Sequence, residues 1–213
     1  MSKRNLFEYR KPITLGAQGL LIDDVITGFE GSTIWGWNGG YTGGATSTII
    51  TTDAYHGTHC VQIDSPTLAA SGQLYKYVAR AATGKHRMLA YVKVITYYGT
   101  TANDHQVLAA GDLNLTTHAF TFIISATDVK VIHHNTTVQV SATPLETGVW
   151  HKLEAECDFD AKRTRFWIDD VLAGDYTDVT LVQPTWLHVG DVSQSVGRGK
   201  FYWDTILYGT IIE

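Results

Sequence analysis

The chain has 213 residues, of which only 17% are charged and 44% are hydrophobic. That is enough for one domain with a substantial core, and the abundant Gly, Thr and Tyr suit strands joined by tight turns. The net charge of −5, from 16 basic and 21 acidic residues, speaks against a nucleic-acid surface, and no apolar run is long enough to cross a bilayer as a helix.

Residues 1–19 read as an extended N-terminal arm. Pro12, Gly16 and Gly19 interrupt any alternation, and Lys3, Arg4, Arg10 and Lys11 make the segment basic. It has no continuous apolar core of signal-peptide length. Arms of this kind order on a partner. The alternative is an edge strand packed across its own domain. The remaining residues, 20–213, form the second unit.

Next comes a glycine-rich stretch with Trp35, Trp37, Asn38 and Tyr41. Sugar rings present an apolar C–H face on which aromatic rings stack. We therefore expect Trp35, Trp37 and Tyr41 to form a glycan platform, with Asn38 bonding to the hydroxyls. The competing reading buries one Trp and leaves a plain connection.

Alternation and turn signals then predict strands at Ser47–Thr52, His59–Asp64, Gln73–Ala79, Arg87–Ile95, Gln106–Gly111, Ala119–Ala126, Val129–His134 and Val138–Ala142. Further strands are predicted at Trp150–Phe159, Thr164–Ile168, Val171–Asp175, Thr185–Val189 and Lys200–Tyr208. No helical period competes with them. Many short antiparallel strands imply an all-β, two-sheet antiparallel β-sandwich.

The clearest pattern runs from Trp150 to Tyr176. Leu153, Ala155, Cys157 and Phe159 alternate with Glu154, Glu156, Asp158 and Asp160, so one strand face is apolar and the other acidic. Asp160-Ala161-Lys162 turns the chain, and Phe166 and Ile168 then alternate with Arg163, Arg165 and Trp167. Asp169-Asp170 makes a second turn. Arg163 and Arg165 are expected to face the acids across the hairpin, the ordinary use of such a ladder.

Trp150, Asp158, Phe166 and Asp169-Asp170 resemble the laminin-G-like or concanavalin A-like jelly-roll superfamily. Phe29-Glu30-Gly31-Ser32 and Asp53 to Cys60 resemble the opening of carbohydrate-binding modules of that fold, and Phe201 to Tyr208 resembles their closing strand. The resemblance covers roughly Thr27 to Tyr208. It implies a jelly roll, and it implies a function among lectins, adhesion domains, glycosidases, lyases and spacers.

Related jelly rolls often hold a structural calcium ion, and the resemblance makes Asp23, Asp24, Glu30, Asp53 and Asp204 the candidate ligands. Some glycosidases of this fold carry alternate acids on one strand. Their pattern puts Glu at both ends around an Asp, whereas this chain has Glu154, Glu156 and Asp158. The histidines at 56, 59, 133 and 134 read as turn or surface residues. Cys60 and Cys157 read as buried free thiols, although a count of two does not exclude a disulfide.

No catalytic set is assembled in the sequence. We therefore expect a non-catalytic virion-associated surface or decoration protein. Its arm would dock to other virion proteins and its loops would touch host-surface glycans, without nucleic-acid or membrane partners; exposed sheet edges leave a homo-oligomer open, and no residue specifies one. The alternatives are a free carbohydrate-binding module or lectin, and a glycoside hydrolase or polysaccharide lyase using the ladder.

Overall fold

The computed structural model describes residues 21–22, 29, 34, 36–67, 70–78, 81–98, 105–133, 135–177, 180–191 and 199–212. The proposed arm at 1–19 lies outside them, as do Asp23, Asp24, Glu30 and Trp35.

Fifteen strands are present, and no helix occurs among the described residues. They are β1 (Leu21–Ile22), β2 (Asn38–Thr42), β3 (Thr46–Ile50), β4 (Cys60–Asp64), β5 (Ser71–Tyr77), β6 (Lys85–Tyr97), β7 (His105–Gly111) and β8 (His118–Ile124). β9 (Val129–His133), β10 (Thr136–Ser141), β11 (Trp150–Asp158), β12 (Arg163–Ile168), β13 (Val171–Thr177), β14 (Trp186–Gly190) and β15 (Gly199–Ile212) follow. Every strand expected between Ser47 and Tyr208 is there, with shifted ends.

The strands form two antiparallel sheets. One has eight strands in the order β13-β12-β11-β6-β15-β4-β3, with β1 joined to β15. The other has seven, in the order β10-β9-β8-β7-β14-β5-β2. The expected all-β sandwich is therefore observed. β2 was not expected as a strand, because Asn-Gly-Gly has poor strand propensity. It forms through pairing with β5, from Asn38 opposite Tyr75 to Thr42 opposite Ser71.

The inner faces of the two sheets make the core. Met88, Ala90, Val92, Leu153, Ala155, Phe166, Phe201 and Trp203 come from the larger sheet. Leu74, Leu108, Phe120, Phe122, Val131, Leu187 and Val189 come from the smaller one. Phe122 meets Phe166 edge-on across the gap, with ring centroids 5.3 Å apart. At the rim His133 and Tyr176 stack at 4.1 Å, one ring from each sheet.

The acidic ladder faces outward on β11, as the alternation requires. Asp158, Glu156 and Glu154 stand opposite Arg163, Arg165 and Trp167 on β12, and opposite Lys85, Arg87 and Leu89 on β6. Glu154 bonds Arg87 and Lys152, and Glu156 bonds Arg165. Trp167 lies beneath both guanidinium groups, 5.1 Å from Arg87 and 5.5 Å from Arg165. These stems and the indole shield the acids from water, so Glu154 keeps 1% and Glu156 4% of its exposure. The ladder is charge-paired, as expected, but it is not an open solvated face.

The Asp169-Asp170 turn has φ of 50° and 66° at its two central residues. That mirror-image turn matches the twist of the flanking strands. Cys60 and Cys157 are both free and buried.

Candidate functional site on the outer face of the seven-stranded sheet

On β5, Leu74 points into the core, which turns Gln73, Tyr75 and Tyr77 outward. On β14, Leu187 and Val189 point in, which turns Trp186 and His188 outward. Register then assembles two rows across the sheet. One runs Asn38, Tyr75, His188, Ala109, Thr121, each opposite the next. The second runs Tyr77, Trp186, Gly111, His118.

The aromatic rings touch in sequence. Tyr77 meets Trp186 at 5.2 Å, Trp186 meets Tyr75 at 5.7 Å, and Tyr75 lies over His188 at 6.0 Å and 29°. Tyr77 is 61% exposed and His188 is 1% exposed. The row therefore descends from an open ring to a buried imidazole, flanked by the small residues Ala109 and Gly111.

His188 is held at both nitrogens. Nδ1 lies 2.9 Å from Gln73 Oε1, and Nε2 lies 3.2 Å from the Asp112 carbonyl. Both partners are oxygens, and a neutral ring has one N–H. Burial pushes the His188 pKa down to about 4, against the opposing pull of the Asp112 carbonyl bond, so the ring is neutral near pH 7. Nε2–H then donates to Asp112 O. A half-turn of the Gln73 amide supplies Nδ1 with an N–H donor at the same place.

Gly190 keeps β14 close to β5. Its φ is +109°, and a Cβ there would lie 2.5 Å from the Gly72 carbonyl oxygen. Beside it, Asp191 N–H donates to that same oxygen at 2.8 Å. On β8, His118 Nδ1 meets Thr121 Oγ1 at 2.8 Å, and the Thr121 hydroxyl donates to Phe120 O. The imidazole is therefore the donor in the first of these bonds. Burial lowers the His118 pKa also.

Of the glycan platform expected near the N-terminal end, Trp37, Asn38 and Tyr41 are described, and they do not share one face. Trp37 is half-buried and packs on the core. Asn38, opposite Tyr75, sits at the margin of the aromatic row. Tyr41 is on the other side of β2, and its hydroxyl bonds Ser47 Oγ. Of the three described members of that set, only Asn38 joins the face just described. Tyr75, Tyr77, Gln73, Trp186 and His188 were not singled out as a group. The period-two pattern shows that they leave the core, but only the cross-strand register shows that they meet.

Of the calcium candidates, Asp53 and Asp204 are described. Asp53 bonds Lys93 Nζ at 2.6 Å. Asp204 is fully buried, and its oxygens accept the His56 N–H at 2.7 Å and the Thr205 hydroxyl at 3.1 Å. No group of three or more potential metal ligands occurs among the described residues.

No protein-family model matches the chain, and no curated protein matches it in sequence. Solved structures do match. The chain is similar to the cellulose induced protein Cip1, with a TM-score of 0.62 and 14% identity, over 81% of this chain and 90% of that one. It is similar to a carbohydrate esterase of the Shiga toxin-encoding bacteriophage phi24B, with a TM-score of 0.62 and 15% identity, over 90% and 99% of the two chains. It is also similar to the endo-β-1,4-glucuronan lyase of the fungus Trichoderma reesei, with a TM-score of 0.63 and 11% identity, over 88% and 96%.

At these identities the likeness is one of fold. It still overturns one expectation. The sequence suggested a non-catalytic chain, yet two of these three matches, spanning nearly the whole domain, are named as enzymes, and sialidases match as well.

Proposed function

We propose that this protein is carbohydrate-active and that a glycan chain lies across the outer face of the seven-stranded sheet. Tyr77 and Trp186 stack on the sugar rings, Asn38 and Gln73 bond to hydroxyls, and Tyr75 is the reacting group. His188 is a positioning residue. Being neutral and tied at both nitrogens, it gives the Tyr75 ring a fixed seat without placing a competing charge there. The observation that carries this reading is the run of ring contacts from exposed Tyr77 down to buried His188. The named activities of the esterase and the glucuronan lyase support it as fold relatives.

The acidic ladder on the opposite sheet is the weaker place for chemistry. Glu154 and Glu156 are shielded and neutralised by Arg87, Lys152 and Arg165. Glycoside hydrolysis by two carboxylates needs both of them to reach the sugar.

The test is a panel of neutral, acidic and acylated polysaccharides incubated with the wild type and Tyr75→Phe. New reducing ends, unsaturated products and released acyl groups are followed in parallel. We expect turnover on one class, lost in Tyr75→Phe. Wild-type turnover in that variant contradicts the reading.

The setting we propose is a virus particle, with residues 1–19 docking to other virion proteins and the glycan belonging to the host surface. The fold likeness to a bacteriophage protein supports this. Purified particles that lacked the chain would overturn it.

A further inference from the structure

We propose a second glycan site on the opposite side of the sandwich, a stacking platform at Tyr55 that takes a neutral pyranose. Residues 51–59 connect β3 to β4 and cross the outer face of the eight-stranded sheet. Tyr55 is 42% exposed, and one side of its ring rests on Tyr91 of β6 at 3.8 Å and 18°. Trp150 of β11 meets it edge-on at 5.9 Å. The His56 ring stands at right angles, 4.4 Å from Tyr55. The part of the Tyr55 ring that stays exposed is what would receive the C–H face of a sugar.

What holds this ring in place is costly to the fold. Asp204 is fully buried and accepts the His56 N–H at 2.7 Å, and the Tyr55 N–H supports the same carboxylate. Desolvation raises its pKa, which means that burying the charge opposes stability. His56 Nδ1 meets Thr205 Oγ1 at 2.9 Å, which adds a second tie. Asp53 and Thr205 lie in the left-handed region, at φ of 70° and 45°. For a β-branched residue such as Thr205 that is a strained conformation. Burial and strain of this kind persist where the surroundings fix them, and here they secure an exposed aromatic residue that lies outside the core. That is preorganisation of a contact surface, since a ring already fixed loses little freedom on binding.

The charges around it select the ligand class. Lys93 is paired with Asp53 at 2.6 Å. Lys152 is paired with Glu154 at 3.0 Å and also with Asp170. Neither cation is left over for a sugar acid, so the platform suits an uncharged ring.

The inference does not depend on the Tyr75 face, and one experiment separates them. Binding of hydroxyethylcellulose, glucomannan and dextran is measured by titration calorimetry for wild type, Tyr55→Ala, Tyr55→Phe and Tyr75→Ala. Thermal melting confirms that each is folded, which the exposure of Tyr55 favours. We expect at least one polysaccharide to lose affinity on the order of tenfold in Tyr55→Ala, the scale of a single interfacial anchor. Tyr55→Phe, which keeps the ring, retains that affinity, and Tyr75→Ala leaves this component intact. Three results overturn the proposal: Tyr55→Ala matching wild type on every polysaccharide, Tyr55→Phe losing as much as Tyr55→Ala, or Tyr75→Ala abolishing all binding.

Discussion

Tyr75 lies over His188 with ring centroids 6.0 Å apart, and the two stand opposite each other on neighbouring strands. The imidazole below is 1% exposed, with a pKa pushed down to about 4. An unfolded histidine titrates near 6.5. At pH 7 both states are neutral and the shift contributes nothing. As pH falls below 6.5 the unfolded chain takes up a proton that the native ring refuses, and stability is lost until about pH 4. The full effect is about 3 kcal/mol, to order of magnitude. Chemical denaturation across that window should show a decline that flattens in His188→Asn. An unchanged slope in the variant would mean that His188 is not the group responsible.

Gly190→Ala tests the closeness of β14 and β5. A side chain there meets the Gly72 carbonyl at 2.5 Å in a left-handed backbone. We expect a loss of about 3 kcal/mol, the scale of backbone strain and overpacking. Because the same shift separates His188 from Gln73, turnover should fall as well. A folded variant with wild-type stability and turnover would show that this contact does not set the geometry.

The ladder predicts a different behaviour. Arg165→Ala leaves buried Glu156 without its guanidinium and removes one cover of the Trp167 ring. Breaking a buried pair costs about 3–5 kcal/mol. Because the Arg165 side chain keeps 28% of its exposure, the lower end of that range applies. Denaturant melts measure it. Glu156→Gln should leave glycan turnover intact, and its loss would return the ladder to the chemistry.

Both thiols should be inert in the native protein. Burial pushes Cys60 and Cys157 up to about 12, so almost no thiolate exists near neutrality. A thiol reagent should react only as the protein unfolds, at a rate that tracks denaturant. Rapid labelling of either residue under native conditions would contradict their burial.

The fold was legible where alternation was strong. Leu153 to Phe159 against Glu154 to Asp158, and Phe166 against Arg165, gave both the strands and their orientation, because period two is a local property. The site was not legible for the converse reason. Tyr75 and His188 are 113 positions apart, and Asn38 is further still; only register brings them into one row. In the Trp-rich segment, aromatic content does not reveal facing. Trp37, just before β2, packs on the core, and pairing with β5 puts Tyr41 on the far side of β2. The ladder's charges paired as expected, but its burial depended on Arg87 from β6, whose pairing with β11 no local pattern shows.

The most direct test of the account is binding of a polysaccharide panel to Trp186→Ala and Tyr41→Ala beside the wild type, followed by calorimetry. Trp186 stands in the middle of the proposed sugar-binding row, and Tyr41 stands outside it. The account predicts that Trp186→Ala weakens binding on the order of tenfold or more while Tyr41→Ala leaves it unchanged. Binding that survives in Trp186→Ala and fails in Tyr41→Ala would move the glycan to the N-terminal segment and contradict the assignment of the outer face.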